Sequence, residues 1–273
     1  MGSLKDWMVR LAGRGIGREK VLVGLLDTHF GIKHRMDWEL SPEAPHFYDF
    51  RSGVFSLGFG DAPPSSHTLD RAAMARDTFA DGDRVLDIGC GDGFFTRRFY
   101  SDRAGRIDAI DVEESAISHA GRYHAHPKIT YVKCDAVAEP FPSDAYDAVI
   151  WNGAIGHFSA ADTAIVLRKI RACLTPTGVF AGSESLGVEG HDHHQYFADE
   201  TAVQALFSPY FGCVATRVVN YTIGTQRNFA RREVFWRCSD SRASLLRDAW
   251  SWAGAPAEPS VAGTDGQAGR SNG

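Results

Sequence analysis

The sequence has 273 residues, 44% of them apolar and 23% charged, which excludes collagen-like, wholly disordered and disulfide-framework chains. The length suits one large domain with appendages and leaves ample material for a core. Asp and Glu number 34 against 29 Lys and Arg, and the resulting net charge of −5 is the wrong sign for a tight, sequence-blind nucleic-acid binder.

Residues 1–35 carry seven Lys or Arg against three acids, interleaved with Trp7, Leu11, Val21, Leu22, Leu25 and Leu26. This pattern predicts one or two amphipathic basic helices, packed on the main domain or touching an anionic membrane surface peripherally. Residues 36–80 are rich in aromatics and turn formers (Phe47, Tyr48, Phe50, Phe55, Phe59, Pro63, Pro64) and lead into a helix expected over 67–80. Then a regular alternation begins. Strands are expected at 84–88 (RVLDI), 106–111 (RIDAID), 129–134 (ITYVKC), 146–151 (YDAVIW) and 178–183 (GVFAGS). Helices are expected between them at about 94–101, 114–123 and 161–173. Such an order predicts an open, mostly parallel sheet with right-handed crossovers. A helix at 200–207 and strands near 213–219 and 233–238 follow, the last two joined as an antiparallel hairpin. The final stretch, 254–273, is small and polar and is expected to form a loose tail.

The five cysteines (Cys90, Cys134, Cys173, Cys213, Cys238) are widely spaced and contain no C-x-x-C pair, which fits a reducing cytoplasm and no zinc framework. No apolar run approaches a membrane span, and no signal-peptide stretch opens the chain. Asp6 stands where a myristoylation signal wants Ser or Thr.

Chemistry concentrates after the first strand, in Asp87-Ile88-Gly89-Cys90-Gly91-Asp92-Gly93. Glycines there let backbone approach a ligand closely, at the strand end where open α/β sheets bind ligands. Position 94 is Phe, not the helix-packing glycine of a dinucleotide fingerprint. Acidic Asp87 and Asp92 suit a cationic ligand better than a pyrophosphate.

This segment resembles motif I of the class I S-adenosylmethionine-dependent methyltransferases, and later segments match that family in order. Asp111 ends the second strand 18 residues after Gly93, and Cys134-Asp135-Ala136 follows the third. Tyr146–Asn152 resembles the fourth strand, and Leu174-Thr175-Pro176-Thr177-Gly178 resembles the turn before the fifth. The resemblance covers about residues 80–240. It implies a Rossmann-like, doubly wound, mostly parallel seven-stranded sheet with an antiparallel last strand and an N-terminal helical cap. It also implies three regions: a cap or lid at 1–79, the cofactor-binding domain at 80–240 and an extension at 241–273. S-adenosylmethionine would be held by Asp87, Gly89, Cys90, Gly91, Gly93, Asp111, Val112, Asp135, Ala136 and Asn152. Within that set Asp111 would hold the ribose hydroxyls and Asp135 the adenine amino group.

On the acceptor side, the prolines of base-amino methylating enzymes are missing after strand four, and no Pro-Cys nucleophile for cytosine is present. A small-molecule acceptor, sugar- or lipid-linked among the options, is therefore expected in place of nucleic acid. His157 is placed to act as a base near the cleft, with His194 and Tyr196 as walls of the acceptor pocket and Glu184 as an orienting group. Gly156 stands where an acid would partner His157. The run His191-Asp192-His193-His194 has ligand chemistry, but adjacent histidines do not converge easily on one ion, so no metal is expected. Alternatives are an NAD(P)-dependent oxidoreductase, a non-catalytic S-adenosylmethionine-binding protein and an aminopropyl transferase.

Overall fold

The computed structural model describes residues 66–187, 193–223 and 229–242, apart from the side chains of Ile223 and Phe229. The basic helices expected in 1–35, the aromatic segment before Ser66 and the C-terminal tail lie outside the described residues.

Helix α1 (His67–Arg76) precedes β1 (Arg84–Ile88), and a helical segment beginning at Phe94 leads to β2 (Arg106–Asp111). Then come α2 (Glu114–Tyr123), β3 (Ile129–Lys133), β4 (Tyr146–Asn152), a 3₁₀ turn (Ile155–His157) and α3 (Ala160–Cys173). The chain continues through β5 (Leu174–Leu186), α4 (Glu200–Phe207), β6 (Cys213–Ile223) and β7 (Phe229–Ser239). The seven strands form one sheet in the order β3-β2-β1-β4-β5-β7-β6. Strands β1 to β5 pair in parallel, and β7 runs antiparallel to both β5 and β6. This is the Rossmann-like sheet with an antiparallel last strand that the strand pattern predicts.

Both faces of the sheet are covered, which is why its central strands read as apolar runs. Alternate side chains serve opposite faces. Leu86, Ile88, Val149 and Trp151 join a cluster with Val166, Leu167, Phe180, Phe207 and Trp236, under α3 and α4. Val85, Ile107, Ala148 and Ile150 join a second cluster with Ala72, Ala75, Phe79 and Tyr100, under α1 and the helical segment after β1. Asp87 falls on this second face by strand alternation, and this places its carboxyl beneath the helical segment.

Three local features differ from the sequence expectation. The helix expected over 94–101 opens as α and widens into a π-helix at Thr96–Tyr100. That frame delivers Thr96 to Asp87 and Tyr100 to Asn152. The segment Leu174–Gly178, expected as a turn, belongs to β5, which starts at Leu174. Its pairing with β4 jumps from Tyr146↔Leu174 to Ala148↔Val179, so residues 175–178 bulge out where Pro176 has no N–H to give the ladder. The closing hairpin is longer than expected, pairing as far as Ile223↔Phe229.

Helix starts follow local rules. Ser159 accepts the Asp162 N–H at 3.2 Å and donates its hydroxyl to the Asp162 carboxylate at 2.7 Å, a reciprocal cap for α3. Asp199 caps α4 by accepting from the Ala202 N–H.

Candidate active site

The turn after β1 is shaped by three glycines with positive φ: Gly89 at 70°, Gly91 at 54° and Gly93 at 77°. Their surroundings differ. A Cβ at Gly93 would meet Tyr131 Oη at 2.7 Å and the Ala120 Cβ at 2.8 Å, so this glycine lets the turn pack against α2 and β3. A Cβ at Gly89 would lie 3.0 Å from Ala154, on the loop after β4. At Gly91 no atom of the described residues beyond its chain neighbours lies within 4 Å of that position. Among the described residues, the backbone at Gly91 is therefore bare, as a cradle for a ligand is.

Asp111, at the carboxyl end of β2, organises that cradle. Its Oδ2 accepts the Gly91 N–H at 2.8 Å and its Oδ1 accepts the Glu113 N–H at 2.9 Å. Each carboxylate oxygen has further acceptor capacity, and the side chain is half-buried. Next to it Val112 is 57% exposed, an apolar side chain left uncovered at the strand edge. Beyond β3, Asp135 Oδ1 accepts the N–H groups of Val137 and Ala138, which fixes the carboxyl while Ala136 packs in the core beside it. Cys90 is buried, and burial, reinforced by the Asp87, Asp111 and Asp92 charges, pushes its thiol well above the ordinary range. It is a packing residue, not a nucleophile.

Asp87 is the perturbed carboxyl here. It is 5% exposed, and Thr96 donates a 2.5 Å hydrogen bond to its Oδ2. Burial raises its pKa to about 7; the Thr96 bond opposes that shift and the nearby Asp111 charge adds to it. A carboxyl at this set point responds to any positive charge brought to the turn.

The loop after β4 forms the other wall. Asn152 is turned inward: its amide donates to Tyr100 Oη at 3.1 Å and to the Arg71 carbonyl at 3.3 Å, and its Oδ1 accepts from Ser183 at 3.2 Å. It ties α1, the π-helix and β5 together at the strand ends. Gly153 follows with φ 61°, and the Arg71 guanidinium occupies the space where its side chain would be. Arg71 donates to the buried Glu233 carboxylate at 2.5 Å, and Arg231 donates to the other oxygen at 2.9 Å. Burial works to raise the Glu233 pKa, but the two guanidinium groups outweigh it and hold the carboxyl below its usual value. None of these three residues stands out in the sequence, because 162 positions separate Arg71 from Glu233.

Residues 193–195 dock on the turn after β4, a contact that the sequence does not announce. The His194 and Gln195 N–H groups both donate to the Gly156 carbonyl, at 2.8 and 3.2 Å. Gln195 also donates through its side chain to the Ile155 carbonyl and to Thr163. The docked segment lays the His193 ring edge-on to His157, 4.6 Å between centroids, with Tyr196 5.9 Å beyond it. Gly156, where an acid was expected, is instead the space for His193: a Cβ there would fall 2.6 Å from Nδ1. His157 and His194 are exposed, and Tyr196 is 42% exposed. Glu184 does not face outward as an orienting group would. It is buried, accepting the Gly156 N–H at 3.1 Å and both the N–H and hydroxyl of Ser185. Its work is to hold the turn that carries His157. His191 and Asp192 lie outside the described residues.

Comparison with known proteins agrees with this geometry. Residues 85–178 match the model of a methyltransferase domain family. An uncharacterised methyltransferase of Mycobacterium tuberculosis is 31% identical over 97 residues, covering 36% of this chain and 48% of that protein. The sterol 24-C-methyltransferase of Aspergillus fumigatus is 31% identical over 167 residues, covering 54% of this chain and 43% of that protein. The chain thus spans about half the length of the curated relatives it matches. The crystal structure of the YcgJ protein from Bacillus subtilis superposes with a TM-score of 0.53 at 15% identity, over 64% of this chain and 100% of that one, a likeness of fold. The glycine turn, the acids at the ends of β2 and β3 and the matched region 85–178 belong together: this chain carries a class I S-adenosylmethionine-dependent methyltransferase domain.

Proposed function

We propose that the protein transfers the methyl group of S-adenosylmethionine to an oxygen or nitrogen of a small-molecule acceptor. One observation carries the reading: the bare turn at Gly91, the Asp111 and Asp135 carboxylates and exposed Val112 all sit at the carboxyl edge of β1, β2 and β3. When bound, S-adenosylmethionine supplies an activated methyl group whose leaving group is a neutral thioether.

The chain's own residues then divide the work. Asp111 accepts from the ribose hydroxyls, Val112 and Ala136 offer apolar surface to the adenine, and Asp135 accepts from its amino group. Asp87 and Asp111 favour a positive charge at the turn. His157 accepts the acceptor's proton where one must leave, with His194 and Tyr196 on the acceptor side. Because the methyl group is already activated, most of the acceleration comes from holding the acceptor atom in line with it. That task falls to the docked segment 193–197 and the turn at 155–157. In this reading 80–240 are the catalytic domain. The basic residues 1–35 remain the place for any anionic or membrane-surface partner. Among the described residues, no helix is long and apolar enough to cross a membrane.

The test is transfer of label. Incubating the full chain with methyl-labelled S-adenosylmethionine and a fractionated metabolite extract should yield labelled small molecules by mass spectrometry. Cofactor binding without any labelled product would replace the enzyme with a binding protein.

A further inference from the structure

On the α2 side of the glycine turn, away from the histidines at 157 and 193–194, three ligand-bearing side chains converge. Asp92, His119 and His124 each offer one ligand atom, and these atoms all lie within 4.8 Å of one another. We propose that they form a binding site for a divalent transition-metal ion of the zinc type.

Three structural features assemble the cluster. Asp92 is 1% exposed, and its Oδ1 accepts the Phe94 N–H at 3.0 Å, which fixes the carboxyl at the base of the turn. His119 is half-buried on α2, and its ring packs 4.6 Å from Tyr123. His124 comes five positions after His119, a spacing that points away on a continuing helix. It is the C-cap, however, with φ −123° and ψ 18°, so the chain has left the helix there and its ring returns to 6.0 Å from that of His119. Tyr131 locks this arrangement by donating to the carbonyls of both Gly93 and His124, at 3.3 and 3.2 Å. Phe94 closes one side, edge-on to the His124 ring.

The donor set decides the ion. Two imidazoles and one carboxylate suit zinc and its neighbours in the transition series better than magnesium or calcium, which want mostly oxygen. Bonds of about 2.0–2.1 Å in a tetrahedral site space the ligand atoms by roughly 3.3 Å, so small side-chain rotations draw the three atoms onto the ion. The site ties α2 to the turn that carries Gly91.

The test is zinc binding to the full chain, measured by equilibrium dialysis with elemental analysis and by thermal shift. Wild type should bind one equivalent and gain thermal stability on adding zinc chloride. His119→Ala removes a half-buried ligand without emptying the core, and it should weaken zinc binding at least tenfold and abolish the thermal gain. A His191→Ala/His193→Ala double variant, which removes competing imidazoles elsewhere, should keep both. Absence of stoichiometric binding by wild type would overturn the proposal. So would zinc binding that survives His119→Ala, or that is lost only in the double variant.

Discussion

Asp87 sets the electrostatic behaviour of the turn. Its carboxyl titrates near pH 7 in the folded chain, against the ordinary value of 3.8. Between those values the folded state holds a proton that the unfolded chain has released, so the contribution to stability is present at low pH and lost as pH rises through 7. Asp87→Asn, which can still accept from Thr96, should therefore match wild type near pH 4 and exceed it near pH 8. The expected gain is on the order of 4 kcal/mol in urea denaturation. A positive ligand works in the opposite direction, by favouring the ionised carboxyl. The ratio of affinity for S-adenosylmethionine to that for its neutral, demethylated product should rise several-fold from pH 6 to 8 in wild type. In Asp87→Asn it should stay flat. A ratio independent of pH in wild type would separate Asp87 from the ligand charge.

At the scale of elements, α1 is held to the carboxyl edge of the sheet by a buried carboxylate between two arginines. Glu233 on β7 takes one hydrogen bond from Arg71 on α1 and one from Arg231 on its own strand. Removing one partner leaves a charge poorly compensated in the interior, which costs more than the pair contributes. Arg71→Met should lower stability by about 3 kcal/mol, and Glu233→Gln added to it should recover part of the loss, both read from urea denaturation. The ion pair also explains what was legible in the sequence. Strands β1, β2 and β4 are buried on both faces, so their apolar runs mark them directly. The glycine turn leaves a mark for a different reason, because positive φ restricts residue choice. Nothing local encodes the Arg71–Glu233 contact or the docking of 193–195 on Gly156. Gly156 reads as a missing acid until the His193 ring is seen filling its space. The cluster of Asp92, His119 and His124 is hidden likewise, because its spacing depends on a helix ending at His124.

Taken whole, the molecule places one set of chemical groups along one edge of one sheet. The charge distribution follows the same division: residues 1–35 carry +4, which leaves −9 for the remainder of a chain of net −5. An acidic domain built around Asp87, Asp111 and Asp135 suits a cationic cofactor. In the proposed function, the turn at 89–93 and the acid at the end of β2 hold that cofactor. Titration calorimetry of the full chain with S-adenosylmethionine and with its demethylated product tests it most directly. One site per chain is expected, with binding at least tenfold weaker in Asp111→Ala, which loses both the ribose acceptor and the bond that shapes Gly91. A folded wild-type chain that binds neither molecule, or an Asp111→Ala variant with unchanged affinity, would contradict it.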